Sequence, residues 1–254
     1  MRRGVSLPPF GELADPRLLA DLAARAEAAD WDGVFLWDHV AYRPPVTQVL
    51  DPWIALAAMA TTTERVLLGP MVTPLPRRRV QVVARQSVAL DLLSGGRFVM
   101  GVGLGLDSSG GELSSFGEVT DDRERAMLLD EQLDVLVALW SGERVSHPLA
   151  NDVAFHPVPV QHPRIPIWCA ARWPNRRPLQ RALRYEGVFV IDLDDPRLLE
   201  VPDAPPGFEV VVQGWPGDDV EAWANAGATW HLLRFDPFDL QRAKVESLLD
   251  AGPA

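Results

Sequence analysis

Eight short apolar runs alternate along this chain with segments of helical pattern. The runs are too short for helices and cover residues 4–7, 33–37, 66–72, 98–103, 165–170, 188–191, 208–212 and 229–234. Nearly continuous apolar strands that alternate with helices are typical of a parallel sheet covered by helices. Eight repeats in 254 residues fit a closed barrel, since a (β/α)8 barrel takes about 250 residues. The sequence therefore predicts the α/β class and a (β/α)8 TIM barrel.

Asp-Pro pairs mark the starts of several predicted helices. They occur at positions 15–16, 51–52, 195–196 and 236–237. Aspartate is a favoured N-cap because its carboxylate accepts a hydrogen bond from a first-turn N–H, and proline has a helical φ at the next position. Three of the pairs predict helices over residues 18–29, 53–60 and 238–249. Periodic apolar residues predict four more, over residues 80–93, 123–140, 175–184 and 218–226.

Two irregular stretches interrupt the repeat. Residues 145–166 are rich in His and Pro and predict an insertion or a small hairpin before strand five. Residues 192–207 are rich in Asp and Pro, and we expect helix six there to be short. Because no linker separates two cores, we expect residues 1–254 to form a single domain.

Composition argues against several classes of protein. The formal net charge of −11 disfavours nucleic acid, whose binding relies on Lys and Arg, and an anionic membrane surface. Pro8 and Pro9 interrupt a short apolar run near the amino end, which is therefore too brief for the apolar region of a signal peptide. No stretch approaches the roughly 20 apolar residues of a membrane span. The single cysteine, Cys169, excludes an intrachain disulfide and fits a reducing compartment. We expect a cytoplasmic protein without nucleic-acid or membrane partners.

The glycines of strand four do not form a dinucleotide loop. The motif G-x-G-x-x-G fails because its sixth position is Leu106 when it starts at Gly101 and Ser108 when it starts at Gly103. Alternating glycines in a strand let another backbone or a flat ring approach closely, or make room for large neighbours in a barrel. We interpret these glycines as part of the strand and of its carboxyl end, and not as a phosphate-binding loop.

Two strand ends carry residues suited to the mouth of a barrel, where the active sites of this fold lie. Strand two ends in Trp37-Asp38-His39, either a functional pair or a strand cap followed by an ordinary loop histidine. Strand three ends in residues 69–76, where prolines predict a bulge that is either structural or a platform for a ligand.

A third strand end is basic. After strand five, Arg172, Arg176 and Arg177 surround a helix start, which indicates an anion site or a solvated helix end. His147, His156 and His162 lie among prolines without supporting Cys or carboxylate spacing, so we predict no metal site.

Longer blocks of sequence carry a resemblance to a known family. They cover residues 37–40, 51–79, 84–105, 157–182 and 185–189, and ARQSVALDLLSGGRFVMGVGLG at 84–105 is the most specific. These blocks resemble the luciferase-like monooxygenase superfamily, (β/α)8 barrels that use FMN or the deazaflavin F420.

The resemblance implies roles for matching residues. Asp38 and His39 correspond to the acidic–His pair at the end of strand two and are the expected catalytic residues. The expected cofactor-binding residues belong to the strand-three bulge and to the segments after strands four and five. They are Pro70, Met71, Val72, Gly103, Leu104, Gly105, Ala170, Ala171, Arg172, Trp173 and Asn175. A non-proline cis peptide bond is expected at 70–71 or 71–72. One departure is Leu106, followed by Asp107, where many F420 users carry an acidic residue.

The function implied is a flavin-dependent oxidoreductase or monooxygenase that uses reduced FMN and O₂ on a small organic substrate. The alternatives are F420-dependent hydride transfer and a barrel that binds flavin without catalysis. Expected partners are the small-molecule substrate, a separate flavin reductase and a second copy of the chain in a homodimer. Trp37, Trp173 and Trp215 are candidates for the walls of an apolar substrate pocket, although a tryptophan more often belongs to a core.

Overall fold

The computed structural model describes residues 1–253 and shows a parallel barrel surrounded by helices; Ala254, the end of the expected domain, lies outside the described residues. The strands are β1 Arg2–Leu7, β2 Gly33–Leu36, β3 Leu67–Pro70, β4 Thr73–Pro74, β5 Met100–Gly103, β6 Val145–His147, β7 Ala150–Val153, β8 Ile167–Arg172, β9 Gly187–Ile191, β10 Glu209–Gly214 and β11 Trp230–Arg234. The helices are α1 Pro16–Ala28, α2 Pro52–Thr62, α3 Val80–Ser94, α4 Asp122–Trp140, α5 Arg176–Ala182, α6 Val220–Asn225 and α7 Arg242–Asp250. The predicted (β/α)8 barrel is confirmed.

The barrel sheet closes through its third strand, which is split into β3 and β4. The strand order is β3, β2, β1, β11, β10, β9, β8, β5 and β4. At one end of this order β4 pairs in parallel with β5, and at the other a parallel bridge from Leu68 to Phe98 joins β3 to the same barrel strand. Since every barrel pair is parallel, the carboxyl ends of all eight barrel strands meet at one face.

Large side chains fill the barrel interior. Phe35, Trp168 and Trp230 have ring centroids 5.4–5.9 Å apart and form the centre of an inner cluster of buried residues. Their aromatic volume closes the barrel below its mouth, so that the interior is a packed core rather than a pore.

The outer layer lies between the strands and the helices. It contains most of the remaining buried apolar residues, including Leu22, Leu56 and Leu136. Among residues 1–253, no helix combines the length and the apolar character that crossing a bilayer requires.

Asp-Pro pairs begin α1 and α2 as expected but not the last helix. Asp15 and Asp51 accept hydrogen bonds from first-turn N–H groups. In contrast, α7 begins at Arg242, so the helix predicted from residue 238 was wrong in its first turn. The reason is local: Asp236 accepts a hydrogen bond from the backbone N–H of Phe238 and closes a turn there.

The two irregular stretches have the structures that the sequence indicated. β6 and β7 pair as an antiparallel hairpin before β8. After β9 the chain forms one 3₁₀ turn, Pro196–Leu198, in place of a full helix.

Candidate active site

A cleft of about 450 Å³ opens at the carboxyl ends of the barrel strands. This volume lies within the range of about 300–1,000 Å³ that is typical of small-molecule sites. The wall includes Trp37 and His39 after β2, Gly103 at the end of β5, Ala170 in β8 and Gln213 in β10. The cleft therefore occupies the functional end of the barrel.

The break between β3 and β4 forms one wall of the cleft. Met71 and Val72 line it, and the peptide bond between them is cis, at one of the two positions that the sequence indicated. The glycines of β5 make room for this bulge: a Cβ on Gly101 would lie 2.1 Å from the carbonyl oxygen of Pro70, and a Cβ on Gly103 would lie 2.8 Å from Cγ2 of Val72. Close backbone approach thus explains these glycines.

His39 is held by a buried carboxylate that sequence reasoning did not identify. Its Nδ1 lies 2.9 Å from Oε1 of Glu112. Glu112 belongs to the loop after β5, and its side chain is fully buried. An ionised carboxylate only accepts hydrogen bonds, so Nδ1 carries the proton and Nε2 of the neutral ring is the acceptor.

Two further hydrogen bonds keep Glu112 ionised. Its second oxygen accepts hydrogen bonds from the backbone N–H of Val40 at 3.0 Å and from the Arg77 guanidinium at 2.8 Å. Burial raises the pKa of Glu112, but the hydrogen bond from His39, the charge of Arg77 and the hydrogen bond from the backbone of Val40 outweigh this effect and leave the pKa below its ordinary value. At neutral pH the carboxylate is therefore available to orient His39.

Asp38 lies at the cleft wall with its side chain almost fully buried, and it anchors the site. Its side chain is 2% exposed, and its oxygens bind Arg77 and Arg78, both at 2.8 Å. The same carboxylate accepts hydrogen bonds from Nε1 of Trp53 at 3.0 Å and from Oγ1 of Thr73 at 2.7 Å. Because Arg77 also binds Glu112, a single guanidinium joins the strand-two carboxylate to the partner of His39.

Aromatic side chains surround His39 on the side of β1 and β2. The ring centroid of Tyr42 lies 5.0 Å from that of His39, and those of Phe10 and Trp37 lie 5.9 and 6.2 Å away. Phe238, from the loop after β11, contacts Tyr42 from outside. The imidazole therefore sits against an aromatic wall.

The basic end of the cleft is formed by β8 and the loop that follows it. Ala170, Arg172 and Asn175 line this end, and Nε of Arg172 lies 2.9 Å from Asp192. Arg176 and Arg177 are exposed and do not belong to the cleft wall.

Ten of the thirteen residues expected in the site line the cleft. They are Asp38, His39, Met71, Val72, Gly103, Leu104, Gly105, Ala170, Arg172 and Asn175. The structure places the other three away from the cleft wall. Ala171 packs into the outer layer because side chains alternate along β8, Trp173 packs against the same layer, and Pro70 ends β3 with its carbonyl against Gly101.

Glu112 and Arg77 are the residues that sequence reasoning missed. Leu106 stands where many F420 users carry an acidic residue after the strand-four glycines. In this chain Glu112, six positions later, supplies a carboxylate. The run Arg77-Arg78-Arg79 after the bulge was a usable signal, since two of these residues contact Asp38. Trp215 also lies off the cleft wall, with Arg234 stacked on its ring.

Cys169 does not line the cleft. Cys169 is buried, and burial raises its pKa to about 12, so its thiol is protonated at neutral pH. Within residues 1–253, no group of three or more His, Cys, Asp and Glu side chains is arranged to hold a metal ion.

Comparison with known families agrees with this geometry. The model of the luciferase-like monooxygenase family matches residues 1–198. The chain belongs to the luciferase-like monooxygenase family. The matched region includes β1 through β9 and every residue named above as lining the cleft except Gln213.

Several curated proteins similar to this member of the luciferase-like monooxygenase family are named for their dependence on F420. It is 30% identical over 199 residues to the F420-dependent glucose-6-phosphate dehydrogenase of Microbacterium testaceum, covering 72% of this chain and 55% of that protein. It is 31% identical over 190 residues to the F420-dependent hydroxymycolic acid dehydrogenase of Mycobacterium tuberculosis, covering 70% and 51%. The chain thus spans about half the length of the curated relatives it matches.

A solved structure supports the fold over almost the whole chain. An F420-dependent secondary alcohol dehydrogenase, in complex with an F420-acetone adduct, superimposes with a TM-score of 0.76 at 17% identity. The match covers 92% of each chain. At this identity the likeness establishes the barrel architecture alone.

Proposed function

We propose that this protein is an F420-dependent oxidoreductase that interconverts an alcohol and a carbonyl compound. The sequence alone favours reduced FMN and O₂ first and F420 second; the names of the curated relatives support the second of these. The observation that carries the proposal is the 2.9 Å contact between Glu112 and Nδ1 of His39, because it leaves Nε2 as a proton acceptor. Removal of a hydroxyl proton is what oxidation of an alcohol requires of the protein.

The residues of the cleft fit a deazaflavin. A flat tricyclic ring needs an apolar wall, which Met71, Val72 and Leu104 provide. Gly103 has no side chain that would occupy the space beside this wall. Arg172 and Asn175 would hold the polar tail of the cofactor at the β8 end of the cleft. The barrel itself blocks deeper entry through its aromatic interior.

When bound, F420 would supply a two-electron acceptor for the hydride of the alcohol carbon, and oxidation to the carbonyl would release the hydroxyl proton. Nε2 of His39 accepts that proton. Glu112 keeps the ring in the required tautomer and stabilises its cationic form, as a buried carboxylate does for a catalytic imidazole elsewhere. Asp38 acts through Arg77 as a positioning residue. Phe10, Tyr42 and Trp37 limit the access of water to His39.

Cofactor titration followed by a redox assay tests this function. The purified chain is titrated with F420 and with FMN, and binding is followed by fluorescence and by calorimetry. We expect tighter binding of F420 and its reduction by an alcohol without oxygen uptake. Preferred binding of FMN with oxygen uptake would instead support a monooxygenase supplied by a separate reductase. Binding without turnover of any alcohol or carbonyl would support the non-catalytic flavin-binding barrel.

We further propose that the protein acts as a homodimer. A second cavity of about 600 Å³ lies behind Asp38 and Glu112, and Val40, Val82 and Phe116 line it while remaining about half or more exposed. Exposed apolar side chains grouped around one cavity favour a protein interface, and a two-fold pairing of identical chains is the commonest kind.

Sedimentation velocity tests the dimer. Val82→Asp is expected to shift the protein towards the monomer. The control Leu198→Asp, at another exposed apolar residue, should leave the sedimentation coefficient unchanged. A monomeric parent protein at micromolar concentration would contradict the proposal.

A further inference from the structure

The loop that carries Glu112 connects β5 to α4 and covers residues 104–121. The 3₁₀ turns Asp107–Ser109 and Ser114–Phe116 interrupt an otherwise irregular backbone. A side chain on a loop keeps a fixed position in a site only if further contacts hold the backbone beside it. The contacts that hold the backbone on either side of Glu112 therefore bear on the tautomer of His39.

Asp107 holds the backbone on both sides of Glu112. Its Oδ1 accepts hydrogen bonds from the N–H groups of Leu113 and Ser114, both at 2.9 Å. Its backbone oxygen accepts a hydrogen bond from the N–H of Gly111 at 2.7 Å. The N–H groups of Ser114 and Leu113 hold the pKa of Asp107 below its ordinary value, so its carboxylate is ionised at neutral pH. Because Gly111 and Leu113 are the chain neighbours of Glu112, one residue fixes the loop before and after it.

Two further features seat this loop against the segment that follows β2. Leu113 is buried, with 1% of its surface exposed. Gly110 has a φ of 147° and passes so close to Tyr42 that a Cβ there would lie 2.8 Å from the carbonyl carbon of Tyr42. The ring centroid of Tyr42 lies 5.0 Å from that of His39. The loop is therefore packed beside His39 at a second point besides Glu112.

Asp107 is not itself part of the cleft wall. Leu106, Ser109 and Glu112 line the cleft from this loop, whereas Asp107 does not. Asp107 follows Leu106, which occupies the place where many F420 users carry an acidic residue. Since two backbone N–H groups already engage its Oδ1, Asp107 acts on the site through the loop and not by touching a bound molecule.

We propose that Asp107 is a positioning residue, which acts through Glu112 to keep the proton of His39 on Nδ1. The inference rests on the proposed function for the role of His39 as a proton acceptor, but its structural content is the contact between Glu112 and Nδ1. Without the Asp107 carboxylate, the N–H groups of Leu113 and Ser114 lose their acceptor and Glu112 leaves its fixed position. The proton of His39 then distributes between both ring nitrogens, and fewer molecules present Nε2 as an acceptor.

Nitrogen-15 NMR of the cofactor-free protein measures this tautomer directly. Spectra are recorded at about pH 8, above the ordinary pKa of histidine, and His39→Gln assigns the His39 signals among the five histidines. We expect the parent and Asp107→Asn to carry the proton on Nδ1, because the amide oxygen of asparagine accepts the same two N–H groups. Asp107→Ala should show averaged shifts that indicate both tautomers. A ring that keeps its proton on Nδ1 in Asp107→Ala would overturn the inference.

Asp195→Ala is the matched control for this measurement. Asp195 also accepts a hydrogen bond from a backbone N–H two positions later, that of Arg197 at 3.0 Å, and it begins the 3₁₀ turn Pro196–Leu198. Its removal should leave the His39 signals of the parent unchanged. The same averaging in Asp195→Ala as in Asp107→Ala would show a general effect of lost turn bonds and would also overturn the inference.

Steady-state reduction of F420 shows whether Asp107 acts through Glu112. Asp107→Ala should lower kcat about tenfold or more and leave KM for F420 within about threefold of the parent, because orientation of a catalytic group is lost rather than cofactor binding. In a Glu112→Gln background the same change should have little further effect, since both residues act on one contact. A raised KM for F420, or an equal loss of kcat in the two backgrounds, would overturn the inference.

The two measurements separate this inference from the proposed function. If the parent oxidises no alcohol, the proposed function fails, and the tautomer of His39 in Asp107→Ala still decides the role of Asp107. If the parent oxidises alcohols while Asp107→Ala keeps the parent's tautomer and kcat, the inference fails and the proposed function stands.

Discussion

Nδ1 of His39 lies 2.9 Å from Oε1 of Glu112 although 73 positions separate the two residues in sequence. The contact joins the end of β2 to the loop after β5 across the split third strand. It determines which nitrogen of His39 faces the cleft as an acceptor. The chemistry proposed for this site depends on that assignment.

Glu112→Gln is expected to lower kcat about 100-fold or more while KM changes by less than about threefold. The amide keeps the size of the side chain but cannot stabilise the protonated imidazole, which exists only as the reaction proceeds. Steady-state reduction of F420 measures both constants. Glu221→Gln alters an exposed carboxylate of α6 and is the control. Equal kcat values for Glu112→Gln and the parent would refute the role of this carboxylate.

Asp38→Asn is expected to lower the free energy of unfolding by about 3–5 kcal/mol. The change removes the carboxylate paired with Arg78 and one of the two carboxylates paired with Arg77, and breaking a buried ion pair has this cost. Urea denaturation measures the effect. Asp21→Asn, at a 61% exposed side chain, should change stability by less than about 0.5 kcal/mol. Similar losses for the two variants would show that the anchor is not needed for folding.

Gly101→Ala and Gly103→Ala are expected to differ although they lie two positions apart. A Cβ at 101 would lie 2.1 Å from a backbone oxygen, whereas a Cβ at 103 first meets the Val72 side chain at 2.8 Å. We expect losses of about 3 and about 1 kcal/mol respectively in thermal or urea unfolding, because overpacking costs more where the neighbour cannot move.

The Gly103 variant has a second expected effect, on the cleft. Gly103→Ala should weaken F420 binding, and adding Val72→Ala should restore part of it by returning the lost space. If the single variant binds F420 as the parent does, Gly103 does not contribute to the cofactor wall.

Stability is expected to fall as the pH is lowered from about 6.5 to about 4 because of His231. Burial, with a smaller effect of the Arg3 charge, lowers its pKa to about 4, while Asp218 acts in the opposite direction. In this interval the unfolded chain binds a proton that the folded chain does not, so acid favours unfolding. The loss attributable to this residue is about 3 kcal/mol across the interval.

His231→Leu tests this pH dependence. Neither ring nitrogen has a hydrogen-bond partner among residues 1–253, so an apolar replacement removes the titration without breaking a bond. Urea unfolding at pH 4.5 and pH 7 should show a smaller difference for this variant than for the parent. The control His162→Gln, at an exposed histidine, should retain the parent's difference. An unchanged difference in His231→Leu would assign the acid sensitivity to other groups.

Local patterns in the sequence predicted most of the architecture. Aspartate caps at Asp15 and Asp51 depend on neighbours two or three positions away, and the structure contains them. The same pattern at Asp236 gave a wrong prediction of a helix start at residue 238, because a turn that ends at the exposed Phe238 forms there instead. Local signals indicate that an element begins nearby, but tertiary contacts decide between a turn and a helix.

The sequence by itself determined the number and order of the barrel strands, the bulge near Met71 and the location of His39 at a strand end. These follow from apolar periodicity and from proline and glycine chemistry, which act over a few residues. Only the tertiary structure decided that Glu112 holds His39, that Arg77 links it to Asp38, and that aromatic rings face the imidazole. The physical reason is that closure of the barrel brings loops from separate strands within hydrogen-bond distance. No spacing along the chain records those distances.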